Sequence, residues 1–185
     1  MKVIRTELDG ILIVEPNVFE DARGFFMEAW HHEKYAEAGI RERFVQDNVS
    51  MSKRGVLRGL HFQNPGEQGK LVSVLEGTVF DVAVDLRMDS PTFKRWIGVN
   101  LSSENRRQLY IPPGYAHGFT VLSEEALFVY KCTQYYRREY EHALRWDDPE
   151  IGIDWPGEKH LMSEKDLAAP FLKDFPPGAL PSIAR

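Results

Sequence analysis

Two histidines in strand-like surroundings carry the first hint of chemistry. His61 sits in Arg58-Gly59-Leu60-His61-Phe62-Gln63, with Lys70 downstream. Histidine titrates near neutrality and can take up a proton at physiological pH. A cation beside it can stabilise the anion that such a step creates. A hydrogen-bonded core histidine flanked by surface cations is the plainer reading, and the segment alone favours neither. His117 follows the turn in Ile111-Pro112-Pro113-Gly114-Tyr115-Ala116-His117-Gly118-Phe119. Tyr130 opens Tyr130-Lys131-Cys132-Thr133-Gln134-Tyr135-Tyr136. Its phenol can donate a proton, although an ordinary strand tyrosine is the default. In Asp21-Ala22-Arg23-Gly24-Phe25-Phe26-Met27-Glu28, Arg23 suits phosphate and Phe26 suits the face of a base. A solvated turn before an edge strand explains the same residues. Ser163-Glu164-Lys165-Asp166 is a helix-capping pattern, and Asp166 can also hold a histidine tautomer. There is no glycine-rich phosphate loop, so any phosphate must be met by Arg, Lys and His.

The elements that must position these groups read as strands. Runs rich in Val, Ile, Phe, Tyr and Trp recur between turn residues. Candidates are Ile11–Glu15, Phe25–Trp30, Arg43–Ser52, Val56–Gln63, Lys70–Glu76, Thr78–Leu86, Arg95–Leu101, Gln108–Ile111, His117–Leu122 and Ala126–Thr133. Glu76-Gly77 and the segment from Leu122 to Ala126 read as hairpin turns. Helical patterns are short, at His32–Ala38 and Ser163–Ala169. The tail, with Pro170, Pro176, Pro177 and Pro181, reads as extended chain packed on the body. So many strands at short spacing predict an all-β sandwich or barrel.

Strand parity adds detail. Gln46, Asn48 and Ser50 share one face, and Val45, Val49 and Met51 share the other. Phe128, Tyr130 and Cys132 also share a face. Polar rows of this kind suit a wet barrel lumen that holds a ligand. Arg58 and His61 fall on opposite faces of a regular strand. If both meet one ligand, the strand must bend, and Gly59 is the place for a bulge.

The 185 residues suit one domain spanning 1–185, with enough chain to bury a core without staples. The formal net charge of −5 argues against general attraction to nucleic acid or anionic membrane. An anionic small ligand then needs a local basic pocket. The one cysteine, Cys132, forms no internal disulfide and suits a reducing compartment. Met1–Gly10 has no long apolar core, and no apolar run approaches a membrane span. A cytoplasmic protein is the expectation.

Pro112-Pro113-Gly114-Tyr115-Ala116-His117 resembles the second signature of the cupin superfamily. Metal-binding cupins carry His-x-His in their first signature, whereas Gln63 stands at the second of those positions here. Only His61 and His117 remain as imidazole ligands, and a transition metal normally takes three or four protein ligands. The expectation is a cupin-type double-stranded β-helix (a jelly-roll barrel) without a metal and without a cofactor.

Five ordered segments together resemble the dTDP-4-dehydrorhamnose 3,5-epimerase family. They are Asp21–Phe26, Gln46-Asp47-Asn48, Arg58–Gln63, Ile111–Phe119 and Tyr130-Lys131. The resemblance implies a homodimer in which a segment of about 1–30 is exchanged with the partner. It implies His61 as base, oriented by Asp166, and Tyr130 as acid on the opposite face of the sugar. Lys70 would sit by the C4 ketone. Arg58, His117 and Lys165 would bind the diphosphate sugar. Gln46, Asn48, Tyr136 and Glu141 would line the nucleotide end, and Arg23, Phe26 and Glu28 would come from the partner. The implied reaction inverts C3 and C5 of dTDP-4-dehydro-6-deoxy-D-glucose, giving dTDP-4-dehydro-L-rhamnose in dTDP-L-rhamnose biosynthesis. An enzyme inverting only C3 or only C5 shares these residues. A keto-isomerase would not need Tyr130, a metal-dependent cupin would carry a metal at His61 and His117, and a binding module would exchange no protons.

Overall fold

The computed structural model describes residues 1–183, so the last two residues of the expected 1–185 domain lie outside the described residues. The chain folds into two antiparallel sheets. The first contains β1 (Lys2–Arg5), β2 (Leu12–Glu15), β5 (Gln46–Lys53), β7 (Lys70–Glu76), β10 (Gln108–Ile111) and β12 (Glu125–Cys132), in the order β1-β2-β10-β7-β12-β5. The second contains β6 (Leu57–Gln63), β8 (Thr78–Asp85), β9 (Trp96–Ser102), β11 (Tyr115–Val121) and β13 (Glu141–Ala143), in the order β13-β6-β11-β8-β9. A separate hairpin pairs β3 (Val18–Asp21) with β4 (Gly24–Met27). Helices are short: α1 is His32–Glu37 and α2 is Glu164–Leu167. This is the all-β jelly-roll architecture expected of a cupin barrel.

Both expected hairpin turns are corrected. β7 and β8 flank Glu76-Gly77 but lie in different sheets, and β11 and β12 part in the same way. Each turn carries the chain from one sheet to the other. A period-two pattern shows that a strand exists but not which sheet it joins. The two crossings pack on each other: Ser123 Oγ accepts the Thr78 N–H at 2.8 Å and donates to Glu125 O at 2.6 Å. Gly77 has φ +79°, and a Cβ there would fall 2.0 Å from Glu125 O, so only glycine fits.

Burial follows strand parity. Val72, Val74, Val79, Ala83, Leu101, Leu109, Phe119 and Phe128 form one core cluster between the sheets. Val82 and Val84 alternate with Val79 and Ala83 and pack on the other side of β8, with Leu60, Phe62, Leu144, Trp155 and Leu172. The C-terminal segment therefore covers the outer face of the second sheet, which brings α2 alongside β6. The proline-rich tail is pinned as expected: Asn64 Nδ2 donates to Gly178 O and Ala179 O, and Met88 N donates to Pro181 O.

The bulge at Gly59 is present. His117 of β11 pairs with His61, yet Phe119 pairs with Arg58. Three steps along β6 thus match two along β11, so β6 holds one extra residue and its side-chain parity shifts. Gly59 has φ +120°, and a Cβ there would lie 2.6 Å from Gly118 Cα and 2.7 Å from His117 O. Gly59→Ala is expected to destabilise the protein by about 3 kcal/mol, combining backbone strain with overpacking. That corresponds to a Tm lower by about 10 °C in thermal unfolding. An unchanged Tm would mean that the two strands separate freely at this point.

Candidate active site

The bulge gives β6 two residues aimed into one space. Arg58 and His61 both line a cavity of about 490 Å³ between the sheets, with Lys70, His117, Tyr130, Lys165 and Asp166. A second cavity of about 290 Å³ adjoins it and is lined by Gln46, Asn48, Tyr136 and Glu141. His61, Lys70 and Tyr130 line both, so the candidate reacting groups stand where the two halves meet.

His61 belongs to β6 in the second sheet and Tyr130 to β12 in the first. Both side chains line the same cavities, so a ligand held there meets the two groups from different sheets. His61 Nε2 lies 2.7 Å from Asp166 Oδ1. Asp166 is placed by α2, whose N-cap Ser163 accepts the Asp166 N–H through Oγ at 3.1 Å. Burial pushes the Asp166 carboxyl up, but the His61 ring and the Ser163 hydroxyl outweigh it and hold the group below its ordinary value. The carboxylate is therefore ionised beside the imidazole and leaves the other ring nitrogen, Nδ1, for substrate. Asp166→Asn is expected to lower kcat about 100-fold with little change in KM, measured by steady-state kinetics. An equal rise in KM would point to a role in binding instead.

Burial pushes the Tyr130 phenol above its ordinary pKa, with Cys132 adding to the rise and Arg58 opposing it. It stays protonated near neutrality and can act as an acid. Lys70 is buried, and its Nζ lies 6.0 Å from the centroid of the Tyr130 ring. Burial pushes the Lys70 ammonium down, while Cys132, Asp81 and Glu141 pull it back up. A poorly hydrated ammonium of this kind is a strong partner for a developing oxyanion. Lys165 pairs with Glu141 Oε2, which also accepts the Tyr136 hydroxyl at 2.8 Å. Gln46 Oε1 accepts the Tyr136 N–H at 2.8 Å, and Gln46 Nε2 donates to Asn48 Oδ1 at 3.0 Å. These contacts tie the second cavity's lining into one polar network.

Three expected site residues stand apart from both cavities. Arg23 pairs with Asp21 at 2.5 Å, Phe26 is 69% exposed, and Glu28 accepts from Lys34 Nζ at 2.8 Å. Sequence reasoning also missed a residue. Asp81 of β8 is fully buried, and its Oδ2 lies 2.9 Å from His117 Nε2. Burial pushes the Asp81 carboxyl up and the His117 imidazole down. The signal was available: Asp81 shares the inward parity of Val79 and Ala83, where an acid needs a partner. Gln63, at the position that metal-binding cupins give to histidine, is spent on structure. Its Oε1 accepts the Arg137 N–H at 2.6 Å, and its Nε2 donates to Gly66 O at 2.9 Å. Among the described residues no three His, Cys, Asp or Glu side chains are grouped to hold a metal ion.

An imidazole–carboxylate pair and a phenol on facing walls of a cationic barrel lumen define a proton-transferring enzyme of the cupin type. The family model for dTDP-4-dehydrorhamnose 3,5-epimerase matches residues 5–174. A curated epimerase of that name from Methanothermobacter thermautotrophicus is 56% identical over 168 residues, covering 89% of this chain and 91% of the relative. The crystal structure of a dTDP-6-deoxy-D-glucose-3,5-epimerase from Legionella pneumophila in complex with dTDP-4-keto-L-rhamnose superposes with a TM-score of 0.97. It is 53% identical and covers 100% of this chain and 99% of its own. A 3'-monoepimerase from Streptomyces bikiniensis in complex with dTDP-quinovose is 33% identical with a TM-score of 0.87, covering 96% and 91%. The chain belongs to the dTDP-4-dehydrorhamnose 3,5-epimerase family.

Proposed function

We propose that this protein inverts C3 and C5 of dTDP-4-dehydro-6-deoxy-D-glucose to give dTDP-4-dehydro-L-rhamnose, in dTDP-L-rhamnose biosynthesis. The observation that carries this reading is the placement of His61 and Tyr130 on facing sheets around one cavity. Neutral His61 removes the proton alpha to the C4 ketone, and the electron pair moves onto the ketone oxygen. Lys70 meets the resulting enolate oxygen. Tyr130 then delivers a proton to the opposite face of the same carbon. The imidazolium and phenolate left behind exchange protons with solvent before the second carbon is treated. No net oxidation occurs, so no redox cofactor takes part. Arg58 and Lys165 supply the local positive charge that a diphosphate needs in a protein of net charge −5, and His117 lines the same cavity.

The test is product identity. After turnover, borohydride reduction and hydrolysis should release 6-deoxy sugars of the L-rhamno and L-talo configurations. Sugars of the 6-deoxy-D-allo and 6-deoxy-D-gulo configurations would replace this reading with inversion at C3 alone.

The protein also acts as a homodimer in this reading, in the cytoplasm. Val49, Leu75 and Val129 line a groove on the outer face of the first sheet, where Val49 is 65% and Leu75 50% exposed. The β3–β4 hairpin carries exposed Phe19, Phe25 and Phe26. Exposed apolar side chains gathered on these two surfaces support an interface there. The partner's hairpin would bring Arg23, Phe26 and Glu28 to the nucleotide end. Among the described residues no helix is long and apolar enough to cross a membrane. Val49→Asp is expected to give monomers in light scattering. A dimeric variant would place the interface elsewhere.

A further inference from the structure

The inward row of β5 consists of Gln46, Asn48, Ser50 and Ser52, and three of the four have their polar atoms engaged. Gln46 bonds Tyr136 and Asn48. Asn48 Nδ2 approaches Cys132 Sγ at 3.6 Å. Ser52 Oγ accepts from Arg58 Nε at 3.0 Å. Ser50 Oγ is different: it is buried and has no hydrogen-bonding partner among the described residues. Buried hydroxyls are nearly always paired, and an orphan at a cavity wall points to a partner that arrives with the ligand.

The position of Ser50 narrows that partner. Ser50 lines the larger cavity, whereas Gln46 and Asn48 line the smaller one at the nucleotide end. Across the β5–β12 pair, Asn48 faces Tyr130 and Ser50 faces Phe128. Two residues along a strand are about 7 Å apart. Lys70 lies in the other direction, opposite Cys132 on β12. Tyr130 is thus bracketed along the wall, with Lys70 on one side and the Ser50 hydroxyl on the other.

We propose that Ser50 donates a hydrogen bond to a ring or hydroxyl oxygen of the hexose, on the far side of Tyr130 from Lys70. The two donors fix the sugar at both ends, so that the carbon between them faces Tyr130. Ser50 then helps decide which carbon adjacent to the ketone is presented. This assignment rests on the epimerase reading.

Calorimetric titration of the full chain with dTDP and with dTDP-L-rhamnose tests it. Ser50→Ala should weaken dTDP-L-rhamnose about tenfold, the effect of one lost hydrogen bond, and leave dTDP within about twofold. Ser50→Thr, which keeps the hydroxyl, should recover much of the loss. The ratio of deuterium entering C3 and C5 from heavy water should also shift in Ser50→Ala. Unchanged affinity for the sugar nucleotide, an equal loss for dTDP, or a wild-type protein without preference for the sugar would each overturn the assignment. If Ser50→Ala removes a sugar preference that the wild type shows, yet the wild type takes up no deuterium, the Ser50 contact stands and the epimerase reading falls.

Discussion

His61→Ala is expected to lower kcat by about 10²–10⁴ and to stop deuterium uptake at both carbons. His61 stands at the junction of the two cavities, with Nε2 2.7 Å from Asp166 Oδ1. The second imidazole, His117, is turned toward buried Asp81 and stacked near Phe128, with ring centroids 6.0 Å apart. Burial also lowers its affinity for a proton. It is not placed to take over. The substitution should leave the fold intact, because His61 is partly exposed to the cavity and contributes little to the core. Nucleotide binding should therefore persist while proton abstraction fails. A His61→Ala protein that still exchanged protons at near wild-type rates would move the base elsewhere.

Tyr130→Phe should produce a different defect of comparable size. Proton abstraction needs only His61 and an acceptor for the enolate charge, so exchange at the first carbon should continue in part. Delivery from the opposite face should fail, and conversion should fall about 10²–10⁴-fold. The expected signature in heavy water is recovered substrate that carries deuterium with its original configuration. Loss of exchange together with loss of conversion would show that Tyr130 also supports the abstraction step. The change removes one oxygen from a ring 5.8 Å from Phe128, so packing should hardly move.

Much of this site was legible before the fold was known, and the reasons are local. In β5, alternation placed Gln46, Asn48 and Ser50 on one face, and the structure turns that row into the lumen. The conflict between Arg58 and His61 forced a bend at Gly59, and the register shift lies there. Ser163–Asp166 read as a cap and a histidine partner at once, and both are present. What escaped was long-range or short. Glu76-Gly77 read as a hairpin because pattern alone does not reveal that a chain changes sheets. β1, β3 and β13 have three or four residues each and were not picked out as strands, although β2 and β10, at four residues, were. Asp81 hid inside an apolar strand because its partner, His117, is far away in sequence. Arg23, Phe26 and Glu28 were assigned to the site through the family resemblance, and within one chain they lie outside it.

The central claim is that one base and one acid, on opposite walls, treat both carbons beside the ketone. The most direct measurement is turnover of dTDP-4-dehydro-6-deoxy-D-glucose in heavy water, with deuterium located in the product by proton NMR. The account predicts one solvent deuterium at C3 and one at C5, each on the newly formed face. Product with inverted carbons that kept their original hydrogen would contradict it, because one group would then have carried the same proton from face to face, instead of a separate acid drawing its proton from solvent.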